Sequence, residues 1–174
     1  MGTIPFFYLL LEPVTEFTRP IPSSAYVPVA ILFLGIENPM KIFVVSVACF
    51  FPILLNTVSG VRGIDQVLID TGRTFGLSRG RALRKIILPA ALPSVLTGMR
   101  ISLGIGLIVV VVAEMIAGNS GIGYFIVDRQ RIFRIPEVFA GIFSLGIIGY
   151  SINFVFLRIE RYFLRWRTTT ADAA

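Results

Sequence analysis

With 174 residues, 55% hydrophobic side chains, only 15% charged ones and a mean hydropathy of +0.84, this chain has too little polar surface to fold as a water-soluble domain. A lipid bilayer is the expected solvent. The 16 basic against 10 acidic residues give a net charge of +6, which in that setting reports membrane orientation rather than nucleic-acid binding. A single cysteine, Cys49, lies in an apolar run and histidine is absent. No disulfide framework or metal site is implied, the commonest general base is missing, and no catalytic residue is expected.

In chain order, Met1–Leu11 carries no basic residue and runs into Glu12-Pro13, so it does not resemble a secretory signal. Ile4–Leu11 is too short to span, and Met1–Arg19 is read as an interfacial or partly buried segment. Apolar runs then follow at about 20–36, 41–61, 95–117 and 137–157, the third broken only by Arg100 and Glu114. At about 1.5 Å per residue the longer ones cover the roughly 30 Å hydrocarbon core. The first is marginal, and Pro20, Pro22 and Pro28 predict an extended or kinked start. Continuous rather than alternating hydrophobicity selects helices over barrel strands. The reading is an all-α, polytopic helical membrane protein of about four spans, one transmembrane domain over 1–174 with a charged loop at 62–94.

Orientation follows from Lys and Arg. Arg62, Arg73, Arg79, Arg81, Arg84 and Lys85 lie in the loop, and Arg158, Arg161, Arg165 and Arg167 in the tail. With Arg19 and Arg100, one side then holds 12 of the 16 basic residues, so it is expected to be cytoplasmic together with both termini. Arg129, Arg131 and Arg134 fall on the opposite side and weaken the bias without reversing it. Trp166, Tyr162 and Phe163 among the tail arginines read as an interfacial anchor, and Thr168–Ala174 as a disordered tail.

Within the loop, one short helix is predicted from about Ile64 to Phe75, stopped by Gly76, and a second from Ser78 to Pro89. In the second, Ala82, Leu83, Ile86 and Ile87 share a face, with Arg79, Arg81, Arg84 and Lys85 largely elsewhere. Amphipathicity alone fits adsorption on anionic lipid as well as protein docking. The spacing is more specific. Asp70-Thr71-Gly72, three residues, Gly76, nine residues, Ile86, one residue, then Leu88-Pro89 resembles the cytoplasmic signature of permease subunits of ATP-binding-cassette importers, in which Glu-Ala-Ala holds the first position. Arg19-Pro20-Ile21-Pro22, Phe51-Pro52-Ile53-Leu54-Leu55-Asn56-Thr57, Leu88-Pro89-Ala90-Ala91-Leu92-Pro93 and Gly98-Met99-Arg100-Ile101 are similar to the branch importing sulfonates, taurine, nitrate or bicarbonate. Val112-Ala113-Glu114 and Gly121-Ile122-Gly123 extend the likeness over nearly the whole chain.

Two features depart from the family pattern. Gly72 replaces a good helix former, costing about 1 kcal/mol and predicting a weaker first short helix. Members usually carry further spans ahead of the matched region, so the resemblance implies an N-terminally truncated permease.

The resemblance also implies roles. The loop would dock on a cytoplasmic ATP-binding subunit through Asp70, Thr71, Gly72, Arg73, Gly76, Arg79, Ile86, Leu88 and Pro89, with Asp70 paired to the partner or to Arg73 or Arg79. Further implied partners are an extracytoplasmic (periplasmic) solute-binding protein and a second permease subunit, expected as a homodimer in the bacterial inner membrane. ATP would be bound by the partner, since Gly118–Gly123 lacks a following Lys-Ser or Lys-Thr; no cofactor and no nucleic acid are expected. Asn56, Ser102, Glu114, Ser144 and Asn153 are candidates for the translocation path, although Ser and Asn also serve as ordinary interhelical hydrogen-bonding groups. A carboxylate in a span is costly, so Glu114 is expected to gate or to pair with Arg129 or Arg131. Rival readings are a truncated, non-transporting membrane adaptor and a lipid-bound scaffold.

Overall fold

A computed structural model of the protein describes residues 20–165 together with Pro13, Glu16 and Phe17. The expectations for Met1–Leu11, for Arg19, Trp166 and Arg167, and for the tail from Thr168 lie outside the described residues. No strand occurs among the described residues. A 3-10 turn (Ser23–Ala25) leads into α1 (Tyr26–Leu34), followed by α2 (Asn38–Arg62), α3 (Gln66–Thr74) and α4 (Arg79–Ala82). A π-helical turn (Leu83–Ile87) joins α4 to α5 (Leu88–Ala117), and α6 (Ile122–Arg131) and α7 (Ile135–Phe163) complete the order. Among the described residues, three helices are long and apolar enough to cross a membrane: α2, the stretch Arg79–Ala117 ending in α5, and α7. The first apolar run forms only the shorter helix Ser23–Leu34. Pro28 sits in the first turn of α1, where its missing N–H costs nothing, and Gly35 at φ +74 ends the helix.

The chain divides into two compact units, and α2 and α5 contribute residues to both. The first contains Phe51–Ile101, with the end of α2, the short helices and the start of α5. Its helices approach through small residues. Gly98 is buried where a Cβ would meet the Pro52 carbonyl and Ile53 Cα, and Gly60 faces Ser94 and the Ala91 carbonyl. In lipid, where apolar burial drives little association, such close van der Waals contact is what holds helices together.

The second unit contains Ile21–Phe50 and everything from Ser102 onward. Val27 and Ala30 of α1, Met40 and Val44 of α2, and Val109 and Ala113 of α5 form its core. Gly106 lies against Cys49 and Gly141 against Ile126, whereas Gly104 and Gly146 have nothing within 4 Å. Gly141 thus brings α7 onto α6.

One local expectation is corrected. The second short helix does not stop at Pro89, because the π turn runs straight into α5. The Leu88 N–H donates to the Leu83 carbonyl, five residues back. This wider register relieves the crowding that a proline ring imposes on the carbonyl four residues earlier, here that of Lys85.

Candidate coupling surface and interhelical cleft

In the first unit, residues 65–88 fold back on themselves through local chemistry. The Asp65 carboxylate accepts from the Val67 N–H at 2.9 Å and so caps α3. At its other end Gly76, at φ +67, donates to the Arg73 carbonyl (2.9 Å), while Leu77 N–H donates to the Gly72 carbonyl (3.1 Å). This pair of bonds is the Schellman arrangement, which needs a left-handed residue at that position. Ser78 stands before α4, but its hydroxyl accepts from Arg81 Nε (3.2 Å) instead of capping the backbone.

α3 is unbroken at Gly72, and the reason is tertiary. Gly72 is buried, and a Cβ there would collide with Ile86 Cδ1, so the glycine admits the π-turn isoleucine against the α3 backbone. Between α3 and the α4–π segment lies a cavity of about 550 Å³. Its apolar wall includes Ile69, Leu77, Leu83 and Ile87, and Arg73 and Arg79 stand at it. Asp70 is exposed and ion-paired to Arg73 at 2.9 Å, with Gln66 Nε2 donating to it at 3.3 Å. Thr71 is exposed and its hydroxyl returns to the Val67 carbonyl (2.7 Å). Leu88 and Pro89 are exposed at the head of α5.

Also in the first unit, Asn56 Nδ2 donates to the Pro52 carbonyl of its own helix at 2.8 Å.

The second unit holds a different kind of site, a cleft of about 640 Å³ between α2 and α5, with Ile152 of α7 at its edge. Of the path candidates in this unit, Ser102 and Glu114 line it; Ser144 and Asn153 do not. The Ser144 hydroxyl is turned back to the Ala140 carbonyl at 2.8 Å, a bond that satisfies it within its own helix. Ser102 instead bonds between helices: its Oγ donates to the Cys49 carbonyl (3.0 Å), and Cys49 Sγ donates to the Ser102 carbonyl (3.3 Å).

At one end of the cleft, Glu114 pairs with Lys41 at 3.4 Å and accepts from the Gly123 N–H at 2.9 Å. The expected pairing with Arg129 or Arg131 is therefore corrected. Arg129 is drawn to Glu137 (3.1 Å) and Asp128 (3.6 Å), while Glu114 is claimed by the first turn of α6. Neither Lys41 nor the interhelical bond of Cys49 is anticipated in the sequence. The signal that finds them is helical spacing: Lys41, Val45 and Cys49 recur every four residues and so share a face of α2. Ser102, Gly106, Val110 and Glu114 do the same on α5.

Residues 4–169 match the family described as the binding-protein-dependent transport system inner membrane component. The chain belongs to this family. It is 37% identical over 92% of its length to a Bacillus subtilis protein named for aliphatic sulfonates transport, covering 58% of that permease. It is 34% identical over 95% of its length to the taurine transport system permease protein of Escherichia coli, covering 60% of it. Against the bicarbonate transport system permease protein of Synechococcus elongatus the identity is 33% over 90% of this chain and 56% of the relative. The chain thus spans about three-fifths of the length of the curated relatives it matches. Membership in this inner membrane component family makes it a multi-pass membrane protein of a transport-permease family, not an enzyme family.

Proposed function

We propose that this chain is the membrane-spanning part of an ATP-driven importer for a small anion of the sulfonate, taurine, nitrate or bicarbonate kind. In this reading α2, α5 and α7 cross the bilayer, and Ser23–Leu34 crosses with its extended flanks. Both ends and residues 62–94 face the cytoplasm. The partners are a cytoplasmic ATP-binding subunit, an extracytoplasmic solute-binding protein and a second permease subunit. ATP sits on the partner, whose closure moves the α3–α4 hairpin as a rigid handle.

The observation that supports coupling most directly is the apolar groove of the hairpin with Arg73 and Arg79 beside it. An apolar slot gives a partner shape contact, and the arginines give register. Because Asp70 already holds Arg73, the attraction it offers is mainly that of the remaining cations.

Leu83 lines the groove and is 47% exposed, so it is free to change without disturbing a core. Leu83→Asp is expected to cut co-purification with the ATP-binding subunit by at least about tenfold, equivalent to about 1.4 kcal/mol, with the melting temperature of the chain unchanged. Undiminished co-purification sinks the coupling role. Solute uptake into vesicles that proceeds without ATP sinks the importer reading itself.

A further inference from the structure

Two helices of this chain end in the same turn on different residues. At the end of α3 the left-handed position is Gly76; at the end of α6 it is Phe133, at φ +57. The bonds correspond one for one. Phe133 N–H donates to the Gln130 carbonyl (3.1 Å) and Arg134 N–H to the Arg129 carbonyl (3.0 Å), the Schellman pair again. Glycine meets no penalty there, whereas a bulky side chain is strained. Packing within the chain does not offset that strain, since Phe133 is 85% exposed. Strain held without an internal contact points to a contact outside the chain.

The neighbours of Phe133 are of the same kind. Ile132 and Ile135 are exposed. Glu137 holds Arg134 (2.7 Å) and Arg129 (3.1 Å), while Arg131 is exposed and has no ion pair among the described residues. The corner therefore sets an apolar prong beside an uncommitted guanidinium. Its depth is fixed by α7, whose 29 residues rise about 43 Å. A bilayer with its headgroups measures roughly 40–45 Å, so a crossing α7 has both ends at headgroup level. The far end carries a matching set: exposed Tyr162 and Phe163, with the Arg165 guanidinium 5.4 Å over the Tyr162 ring.

We propose that the α6–α7 corner is a phospholipid-binding anchor, in which Phe133 and Ile132 enter the interface and Arg131 binds a lipid phosphodiester. A guanidinium matches the phosphate geometry, and an aromatic ring beside it suits the boundary between headgroup and acyl chain. Glycine at this turn would end α6 equally well and leave nothing to insert. The anchor rests on the crossing of α7, which it shares with the importer reading, and on nothing else in that reading.

The chain has one tryptophan, Trp166, so Phe133→Trp in a Trp166→Phe background makes a single reporter. Tyr150→Trp in the same background makes a second near the middle of α7. In phospholipid vesicles the Phe133→Trp reporter should be quenched most by lipids brominated near the headgroup end of the acyl chain, and little by aqueous acrylamide. The Tyr150→Trp reporter should be quenched most by bromine at the chain end. In the full chain with arginine labelled at Cζ for solid-state NMR, the signal that disappears in Arg131→Gln should be dephased by lipid phosphorus. A Phe133→Trp reporter open to acrylamide, one quenched best from the chain end, or an Arg131 signal unaffected by phosphorus each overturns the anchor. Shielding that appears only when an extracytoplasmic solute-binding protein is added assigns the corner to a protein and overturns it as well. If the Tyr150→Trp reporter is itself open to acrylamide, α7 does not cross and the importer reading falls with the anchor. Failure at Phe133 or Arg131 alone removes only the anchor.

Discussion

The hairpin of the first unit and the cleft of the second are both built from helices, polar side chains and glycines, yet they are specified differently. In the hairpin nearly every determining contact is local: Asp65 to Val67, Gly76 to Arg73, Leu77 to Gly72, Asp70 to Arg73. The cleft is made by residues far apart in the chain: Lys41 with Glu114, and Cys49 with Ser102. The hairpin leaves its charges exposed and its apolar groove open. In the cleft, polar groups meet one another across helices, as low-dielectric surroundings favour. A local device tolerates substitution at any one point, because each contact is worth about 1 kcal/mol; a long-range one concentrates its stakes in few side chains.

The sharpest way to break that contrast is at Glu114. Glu114→Ala removes the partner of a mostly buried ammonium and the acceptor of the Gly123 N–H together. A loss of about 3–5 kcal/mol is expected, read as thermal unfolding of the purified chain in detergent. Lys41→Ala should cost less than half as much, because Glu114 keeps its backbone donor. Equal losses would show that the ion pair, and not the bond from the α6 backbone to Glu114, ties the unit together.

This difference also explains what the sequence made legible. The helical membrane class came from hydropathy and run length, and the family from the spacing of Asp70, Gly76, Ile86, Leu88 and Pro89. The stop at Gly76 followed from backbone chemistry, and the structure has it at φ +67. The continuation through Pro89 did not follow, since a proline ordinarily marks a boundary and the π turn that accommodates it has no residue signature of its own. The partner of Glu114 was missed because charge proximity along the chain favoured Arg129 and Arg131, whereas packing supplied Lys41, 73 residues away. Ser144 and Asn56 illustrate the same limit. The sequence does not show whether a hydroxyl or amide in a span bonds to its own helix, as these two do, or to a neighbouring one.

A smaller effect is expected in the hairpin at Gly76. Open space surrounds it, so Gly76→Ala meets no clash and pays only for the left-handed backbone, about 1–2 kcal/mol. If the loss, again followed by thermal unfolding, falls below a few tenths of a kcal/mol, the turn is not held by its own geometry and the hairpin is less local than described.

The smallest expected effect is at Gly72, where two opposing terms nearly cancel. Gly72→Ala gains about 1 kcal/mol of helix propensity. The new methyl group displaces Ile86 Cδ1, the far end of a flexible side chain, at the cost of an off-rotamer torsion of about 0.5–1.5 kcal/mol. The net change should lie within about 0.5 kcal/mol of zero, too small to interpret alone. Ile86→Val removes the colliding atom, so in the double variant the propensity gain is no longer offset. The double variant should therefore exceed the sum of the single changes by about 0.5–1.5 kcal/mol, the off-rotamer cost that is relieved. Strict additivity would mean that Ile86 does not rest on Gly72, leaving the glycine in α3 without a structural reason and the hairpin held by its caps alone.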